Sequence, residues 1–173
     1  WKEKKIKIRQ ETNFPNEEKT KLSVVDGTAS FKLMLRYPAW VNKNSLKIKV
    51  NGKVFSYNAL PSSYVCIDRK WNKGDVVEVT LPMHNTIEHL PNVPNYIAFM
   101  HGPILLCAKT GTEDLKGLIA DDGRWGQLAV GEKLPVDKAP ILIEDDIQHI
   151  AEKLVPIKDK PLNFSLNVKM INP

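Results

Sequence analysis

The chain has 173 residues, of which 42% are hydrophobic and 26% are charged, and its formal net charge is +5. This length suits one full hydrophobic core, or one domain with a small second unit. No run approaches the roughly 18 apolar residues that span a bilayer, and no segment has the charged and apolar regions of a signal peptide, so we expect no membrane partner.

The positive charge is spread along strand patterns rather than clustered. Lysines alternate with apolar residues in two segments: Lys5, Ile6, Lys7 and Ile8, then Lys47, Ile48, Lys49 and Val50. This alternation is typical of the solvated face of half-buried strands. With no nucleic-acid-binding motif in the sequence, we expect no nucleic-acid partner.

A period of two runs from Trp1 to about residue 110 and predicts short strands. The chain begins at Trp1 without an initiator Met and enters a strand pattern at once, which suggests a fragment of a longer protein. The positions predicted to face inward are apolar: Ile6, Ile8, Leu22, Val24, Phe31, Leu33, Leu35 and Tyr37.

Turn signals separate these strands. Asp26-Gly27 and Asn51-Gly52 favour hairpin turns because both dipeptides tolerate positive φ angles, and residues 72–75 (Asn-Lys-Gly-Asp) predict another turn. Short strands at this spacing indicate a mainly β fold, an antiparallel β-sandwich of the jelly-roll or immunoglobulin-like kind. We assign residues 1–110 to it.

The least polar run is YIAFMHGPILLCA, residues 96–108. We predict two central strands there, interrupted at Gly102-Pro103, which would form the seam of the core. The two cysteines, Cys66 and Cys107, lie in apolar strand sequence, so we expect free buried thiols.

The remaining residues, 111–173, predict a small α+β appendage. It begins with a long irregular connection rich in Gly and Pro. A short helix follows, capped by Asp145 and Asp146 and ended by Pro156. A last strand then runs over residues 162–168, and the sequence leaves open whether this unit is truncated.

Catalytic and metal-binding patterns are weak throughout. The adjacent carboxylates Asp121 and Asp122 would point apart on an extended segment, and Asp145 and Asp146 are better explained as a helix start. The four histidines are scattered, and the sequence lacks the spacings of zinc, phosphate-binding and nucleophile motifs. We therefore predict no catalytic residue, no metal site and no cofactor.

Tryptophans are the residues best suited to stack on a sugar ring. Trp40 and Trp71 lie at strand ends and are predicted to plug the core. Trp125 differs because it lies in the irregular loop DDGRWG. The predicted ligand or interdomain contact is this loop, with residues Asp121, Asp122, Arg124 and Trp125.

A longer pattern of residues carries a family resemblance. The segments RYPAW, VNG, YVCIDRKWNKGDVVEVTLPM and HGP follow one another between residues 36 and 103. They resemble the β-sandwich region that follows the catalytic barrel in bacterial glycoside hydrolases of the β-L-arabinofuranosidase type, a domain-of-unknown-function family. The resemblance covers about residues 1–110, and the segment TGTEDLKGLIADDGRWGQLA resembles the small uncharacterised C-terminal extension of gut Bacteroides-like members.

The resemblance implies a large parent enzyme whose catalytic Glu and cysteine-rich zinc cluster lie in an α/α barrel, and no position of this chain matches those motifs. It implies that the chain is a non-catalytic C-terminal accessory domain, that its partner is the catalytic α/α barrel of the same polypeptide, and that it is periplasmic or extracellular. Carbohydrate remains a further candidate partner. Two alternatives stay open: an independent carbohydrate-binding module for plant polysaccharide, and, least favoured, a free-standing enzyme.

Overall fold

A computed structural model of the chain describes residues 1–109 and 141–171. Within them, the chain forms β-strands and one 3₁₀ helix, Ile147–Lys153. The strands are β1 (Lys7–Thr12), β2 (Lys19–Asp26), β3 (Thr28–Tyr37), β4 (Lys47–Val50), β5 (Lys53–Val54), β6 (Ser63–Asn72), β7 (Val76–Thr80), β8 (Asn85–Leu90), β9 (Val93–His101), β10 (Ile104–Leu106), β11 (Ile141–Ile143), β12 (Leu154–Pro156), β13 (Phe164–Leu166) and β14 (Lys169–Ile171).

The first seven strands form an antiparallel β-sandwich, which confirms the predicted fold class. One sheet has the order β1-β2-β7-β4-β5, and the second consists of β3 and β6, paired over ten residues each. Both sheets contribute to a single buried core. Its twelve members are Ile6, Val24, Leu35, Tyr37, Val41, Leu46, Ile48, Val65, Ile67, Trp71, Val77 and Val79.

The alternation read from the sequence largely holds in these strands. Val24 and Tyr37 are buried at the predicted inward positions, and Lys47 and Lys49 are exposed on either side of the buried Ile48. Ile8 is the exception, with 39% of its surface exposed. The pairing of β1 with β2 shifts register between Lys7 and Ile8, so the inward phase is lost there.

Two of the three predicted turns connect strands of different sheets rather than paired strands. Asn51-Gly52 does form the β4–β5 hairpin, with φ of 52° and 78°. The Asp26-Gly27 hairpin prediction is wrong, because β2 and β3 belong to different sheets and the chain crosses between them at Gly27. The turn predicted at residues 72–75 is present, and it carries the chain from β6 in one sheet to β7 in the other.

The apolar run of residues 96–108 is not the seam of the core. It forms most of β9 and all of β10, which with β8 make a separate sheet of order β10-β9-β8. None of its residues belongs to the buried core, and Leu105 is 56% exposed. Gly102-Pro103 is the turn between two antiparallel strands rather than a break within the core.

The cysteines are free, as predicted, but they are exposed rather than buried. Cys66 lies on the outward phase of β6, opposite Met34, and Cys107 directly follows the edge strand β10. Apolar neighbours in the sequence therefore did not indicate that either thiol is buried in the core.

The C-terminal part contains two small two-stranded sheets, β11-β14 and β12-β13. The predicted helix is present in 3₁₀ form, with Ile150 and Ala151 buried. Asp146 lies at its N-cap but makes no side-chain capping hydrogen bond, and its carboxylate accepts a hydrogen bond from His149 Nδ1. The last predicted strand is shorter than expected, Phe164–Leu166, and pairs with β12.

The described residues contain no helix long and apolar enough to cross a membrane. The predicted domain boundary between residues 110 and 111 falls at the edge of the described part and stays a prediction.

Candidate functional site

The loop predicted to contact a ligand or another domain lies outside the described residues. Asp121, Asp122, Arg124 and Trp125 all fall in the gap between residues 109 and 141. Their assignment therefore remains a prediction. The second acidic pair, Asp145 and Asp146, lies at the start of the 3₁₀ helix, where the sequence placed it.

Asp75 is the one buried charged residue of the described part. Its carboxylate accepts hydrogen bonds from the Asn72 N–H (2.8 Å) and the Asn51 side-chain amide (2.7 Å), and the Arg69 guanidinium lies 3.5 Å away. Burial opposes ionisation, but these three interactions outweigh it and lower the pKa of Asp75 below its ordinary value. The carboxylate thus connects the turn at residues 72–75, the β4–β5 hairpin and β6 at one end of the sandwich.

Trp71 is the buried plug that the sequence predicted. Only 1% of its surface is exposed, and its indole N–H donates a hydrogen bond to the Phe31 carbonyl at 3.1 Å. The Arg69 guanidinium lies 5.1 Å from the ring centroid. Arg69 therefore connects the buried indole to the carboxylate of Asp75.

The sandwich joins the following sheet through the segment around residue 83. The Met83 N–H donates to the carboxylate of Glu18 at 2.7 Å, and the Gly102 N–H donates to the His84 carbonyl at 3.0 Å. A Cβ added at Gly102 would lie only 2.6 Å from the Met83 side chain. The two parts therefore meet in close contact.

His101 lies at this same junction. Its Nδ1 donates to Oδ1 of Asn85 at 2.8 Å, and its ring centroid lies 4.9 Å from that of Phe164. Burial lowers the pKa of His101, and the charge of Glu18 only partly offsets this effect. The imidazole is therefore held neutral over more of the pH range than an exposed histidine.

A groove of about 600 Å³ opens beside this junction. It lies between the loop that precedes β2 and the segment that joins β12 to β13. Its polar groups include Glu18, His101 and Asn163, and its aromatic wall is Phe164.

A second groove, of about 400 Å³, lies on the strands β8 and β9, and we call it the Trp40 groove. Trp40 is half-buried, and its ring stacks on Phe14 with 6.0 Å between centroids. The prediction that Trp40 plugs the core is thus only partly right, because it packs against the core and also lines a groove. The lining residues are Ala39, Trp40, Asn42, His84, Thr86, Glu88, Met100, Gly102 and Pro103.

A third groove, of about 590 Å³, crosses the outer face of the five-stranded sheet. Its cross-strand row alternates in charge: Glu11 pairs with Lys21, Lys21 with Glu78, and Glu78 with Lys49. Opposite charges on neighbouring strands stabilise a sheet modestly. No aromatic residue lines this groove, so of the three grooves it is the least suited to stacking on a ring.

Metal ligands are not assembled in the described part of the chain. No group of three or more His, Cys, Asp or Glu side chains there is placed to hold an ion. His84 and His89 do not act together, since His84 lines the Trp40 groove and His89 Nδ1 donates to the Pro94 carbonyl at 2.7 Å.

Reasoning from sequence missed the Trp40 groove. Trp40 stood out as an aromatic residue, but His84 and Glu88 lie more than forty residues further along the chain, and no local spacing connects them to Trp40. Only the packing of the sheet β10-β9-β8 beside the loop of residues 38–46 brings them together.

Two family models match the chain in succession. The first, described as the GH127 middle domain of β-L-arabinofuranosidase, matches residues 1–83. The second, the domain of unknown function DUF4986, matches residues 86–173, just over half of the chain. The chain belongs to the DUF4986 family. The expectation that its sandwich is a C-terminal region is not confirmed, because this half of the DUF4986 chain matches a middle domain.

Solved structures support the same relationship. A glycoside hydrolase matches 61% of the DUF4986 chain with 29% identity and a TM-score of 0.54, over 18% of its own length. The GH127 β-arabinofuranosidase BT3674 matches 59% of the chain with 32% identity and a TM-score of 0.52, over 19% of its own length. The chain thus spans less than a fifth of these relatives. No functionally curated protein matches it.

Proposed function

We propose that this chain is a non-catalytic accessory region of a larger glycoside hydrolase of the GH127 type, and that it supports the catalytic α/α barrel of the same polypeptide. The match of residues 1–83 to a GH127 middle domain carries this proposal. The structural matches add to it, since each covers only a small share of a much longer hydrolase. The comparisons do not favour the alternative of an independent carbohydrate-binding module.

The use of the carboxylates supports a non-catalytic role. Asp75 is bound by the turns of the sandwich, Glu144 by Lys153, and Asp146 by His149. Glycoside hydrolysis generally requires two carboxyl groups that face each other across the sugar bond. The carboxylates whose pKa is lowered in the described residues instead hold local structure.

The junction at residues 83–86 supports a role as a connected unit rather than as two independent modules. The boundary between the two family models falls there, and residues of the two matched regions meet across it: a Cβ at Gly102 would lie 2.6 Å from the Met83 side chain, and Glu18 and His101 line one groove. A region that holds a middle domain and its neighbour in a fixed arrangement needs such contacts. We propose a periplasmic or extracellular location for the parent enzyme, on the family resemblance.

A hydrolysis assay tests the non-catalytic assignment. The purified chain is incubated with an aryl β-L-arabinofuranoside, and release of the aryl group is measured beside a buffer blank. A GH127 enzyme containing its catalytic barrel serves as the positive control. We expect the chain to match the blank, and turnover above the blank that tracks the pure protein would refute the assignment.

A further inference from the structure

We infer that the Trp40 groove binds a neutral sugar residue of a glycan, an inference that rests on the proposed membership of a glycoside hydrolase. The groove combines a fixed aromatic surface with polar side chains that have no side-chain partner among residues 1–109 and 141–171. This combination is what ligand sites in proteins generally present, and its volume of about 400 Å³ lies in their usual range of about 300–1,000 Å³.

The aromatic surface is held in place before any ligand arrives. Phe14 stacks on the Trp40 ring with an interplanar angle of 26°, and Trp40 also packs against the core of the sandwich. An indole fixed in this way loses little conformational entropy on binding. Part of this indole lines the groove and gives it an aromatic surface, of the kind that packs against the C–H groups of a sugar ring.

The indole N–H of Trp40 is available as a hydrogen-bond donor. It donates to no described residue, and the described part contains no buried side-chain nitrogen or oxygen without a hydrogen-bond partner. The N–H of Trp71, in contrast, is used within the core, where it donates to Phe31. The Trp40 N–H is therefore not fully buried and has no hydrogen-bond partner among the described residues.

The polar rim supplies both donors and acceptors. Asn42, His84, Thr86 and Glu88 line the groove, and their side chains make no hydrogen bond or ion pair with another described residue. Amide, imidazole, hydroxyl and carboxylate groups together can bind the hydroxyl groups of a sugar in either direction. Asn42 and Glu88 are exposed, so reaching them requires no rearrangement.

Charge favours a neutral ligand. Among the described lining residues of the groove the one carboxylate is Glu88, and there is no lysine or arginine. An anionic ligand would meet this carboxylate without a compensating cation. The groove on the outer sheet face is lined by four lysines, three glutamates and no aromatic residue, so it is less suited to a neutral sugar ring.

Nuclear magnetic resonance tests the inference directly, because the chain has only four tryptophans. The chain is labelled with ¹⁵N and titrated separately with arabino-, xylo- and galacto-oligosaccharides, and with an oligogalacturonide as the charged comparison. The indole N–H signal of Trp40 is assigned with the variant Trp40→Phe. We expect a neutral oligosaccharide to shift the Trp40 signal, and the charged one to bind more weakly.

Matched variants locate the site. Glu88→Ala should weaken binding at least about fivefold, since it removes a charged hydrogen-bond acceptor. Glu78→Ala removes another exposed strand glutamate, on the outer sheet face, and should leave the affinity unchanged. Trp40→Ala should weaken binding about tenfold or more. If that variant fails to fold, the Glu88 and Glu78 pair still decides the question.

Several results would overturn the inference: no shift of the Trp40 signal with any glycan, a shift of another indole instead, equal effects of the two glutamate variants, or tighter binding of the charged oligosaccharide. The hydrolysis assay separates this failure from that of the proposed function. If the chain binds no glycan and hydrolyses none, only the inference of a sugar site in the Trp40 groove is refuted. A chain that hydrolyses an arabinofuranoside by itself overturns the accessory role.

Discussion

The side-chain amide of Asn51 donates a hydrogen bond to the carboxylate of Asp75 across 2.7 Å. Asn51 adopts a positive φ of 52° in the β4–β5 hairpin, and its Oδ1 accepts the N–H of Val76 at 2.8 Å. Asp75 ends the turn that carries the chain from one sheet to the other. Two turns that look independent in the sequence therefore form one hydrogen-bonded unit at the edge of the core.

Replacing Asp75 should test the strength of this unit. Asp75→Ala leaves the Asn51 amide and the Asn72 N–H without their acceptor, so we expect a loss of about 1–3 kcal/mol in the free energy of unfolding. Urea denaturation measures it. Asp68→Ala is the control, because among the described residues the Asp68 side chain forms only an exposed ion pair with Lys32, and it should change stability by less than about 0.5 kcal/mol. Equal losses would contradict the assignment.

Asp75 should also make the fold sensitive to acid. Its pKa in the folded chain lies below the ordinary value, so it contributes stability that is present above the unfolded pKa of about 3.9 and is lost as the pH falls through the folded pKa. Asp75→Asn removes this titration. The difference in unfolding free energy between the chain and this variant should shrink below pH 4, and a difference that grows there would be inconsistent with a lowered pKa.

Gly27 and Gly74 make a matched pair for backbone effects. Both have positive φ, 85° and 94°, but a Cβ at Gly27 would lie 2.1 Å from the Lys5 carbonyl oxygen, whereas nothing lies within 4 Å at Gly74. Gly74→Ala should cost only backbone strain, about 1–2 kcal/mol. Gly27→Ala adds overpacking and should cost about 3–5 kcal/mol. Thermal and urea unfolding of the two variants would refute this account if their losses were the same.

The pKa values of two histidines should be shifted in opposite directions. Burial lowers the pKa of His101, whereas the hydrogen bond and charge of Asp146 raise the pKa of the exposed His149. Ring-proton signals followed by nuclear magnetic resonance over pH 4–9 report both. Asp146→Asn should return the pKa of His149 toward its ordinary value and leave that of His101 unchanged. A His149 pKa that did not respond to this change would rule out the pairing.

Sequence reasoning recovered the sandwich because local alternation decides which side chains face the core. Tyr37, Ile48 and Trp71 were placed correctly on this ground. It could not decide which strands pair, and Asp26-Gly27 carries the same local signal as the true hairpin at Asn51-Gly52. The difference lies in a contact with Lys5, twenty-two residues away, where only a glycine fits.

The same limit explains the error at residues 96–108. An apolar run predicts burial, but the depth of burial depends on which elements pack on the run; here β9 and β10 pair only with each other and with β8 among the described strands, and the strand residues of the run are half-buried or exposed. The Trp40 groove was unpredictable for a related reason. Its aromatic and polar groups come from segments more than forty residues apart.

The most direct test of the central claim, that this chain supports a catalytic barrel, is the thermal inactivation of the parent hydrolase with and without the region. Residual activity on an aryl β-L-arabinofuranoside is measured after heating over a range of temperatures. We predict that deleting residues 1–173 lowers the temperature of half-inactivation by several degrees or abolishes soluble enzyme. A truncated enzyme with unchanged activity and an unchanged inactivation temperature would contradict the account.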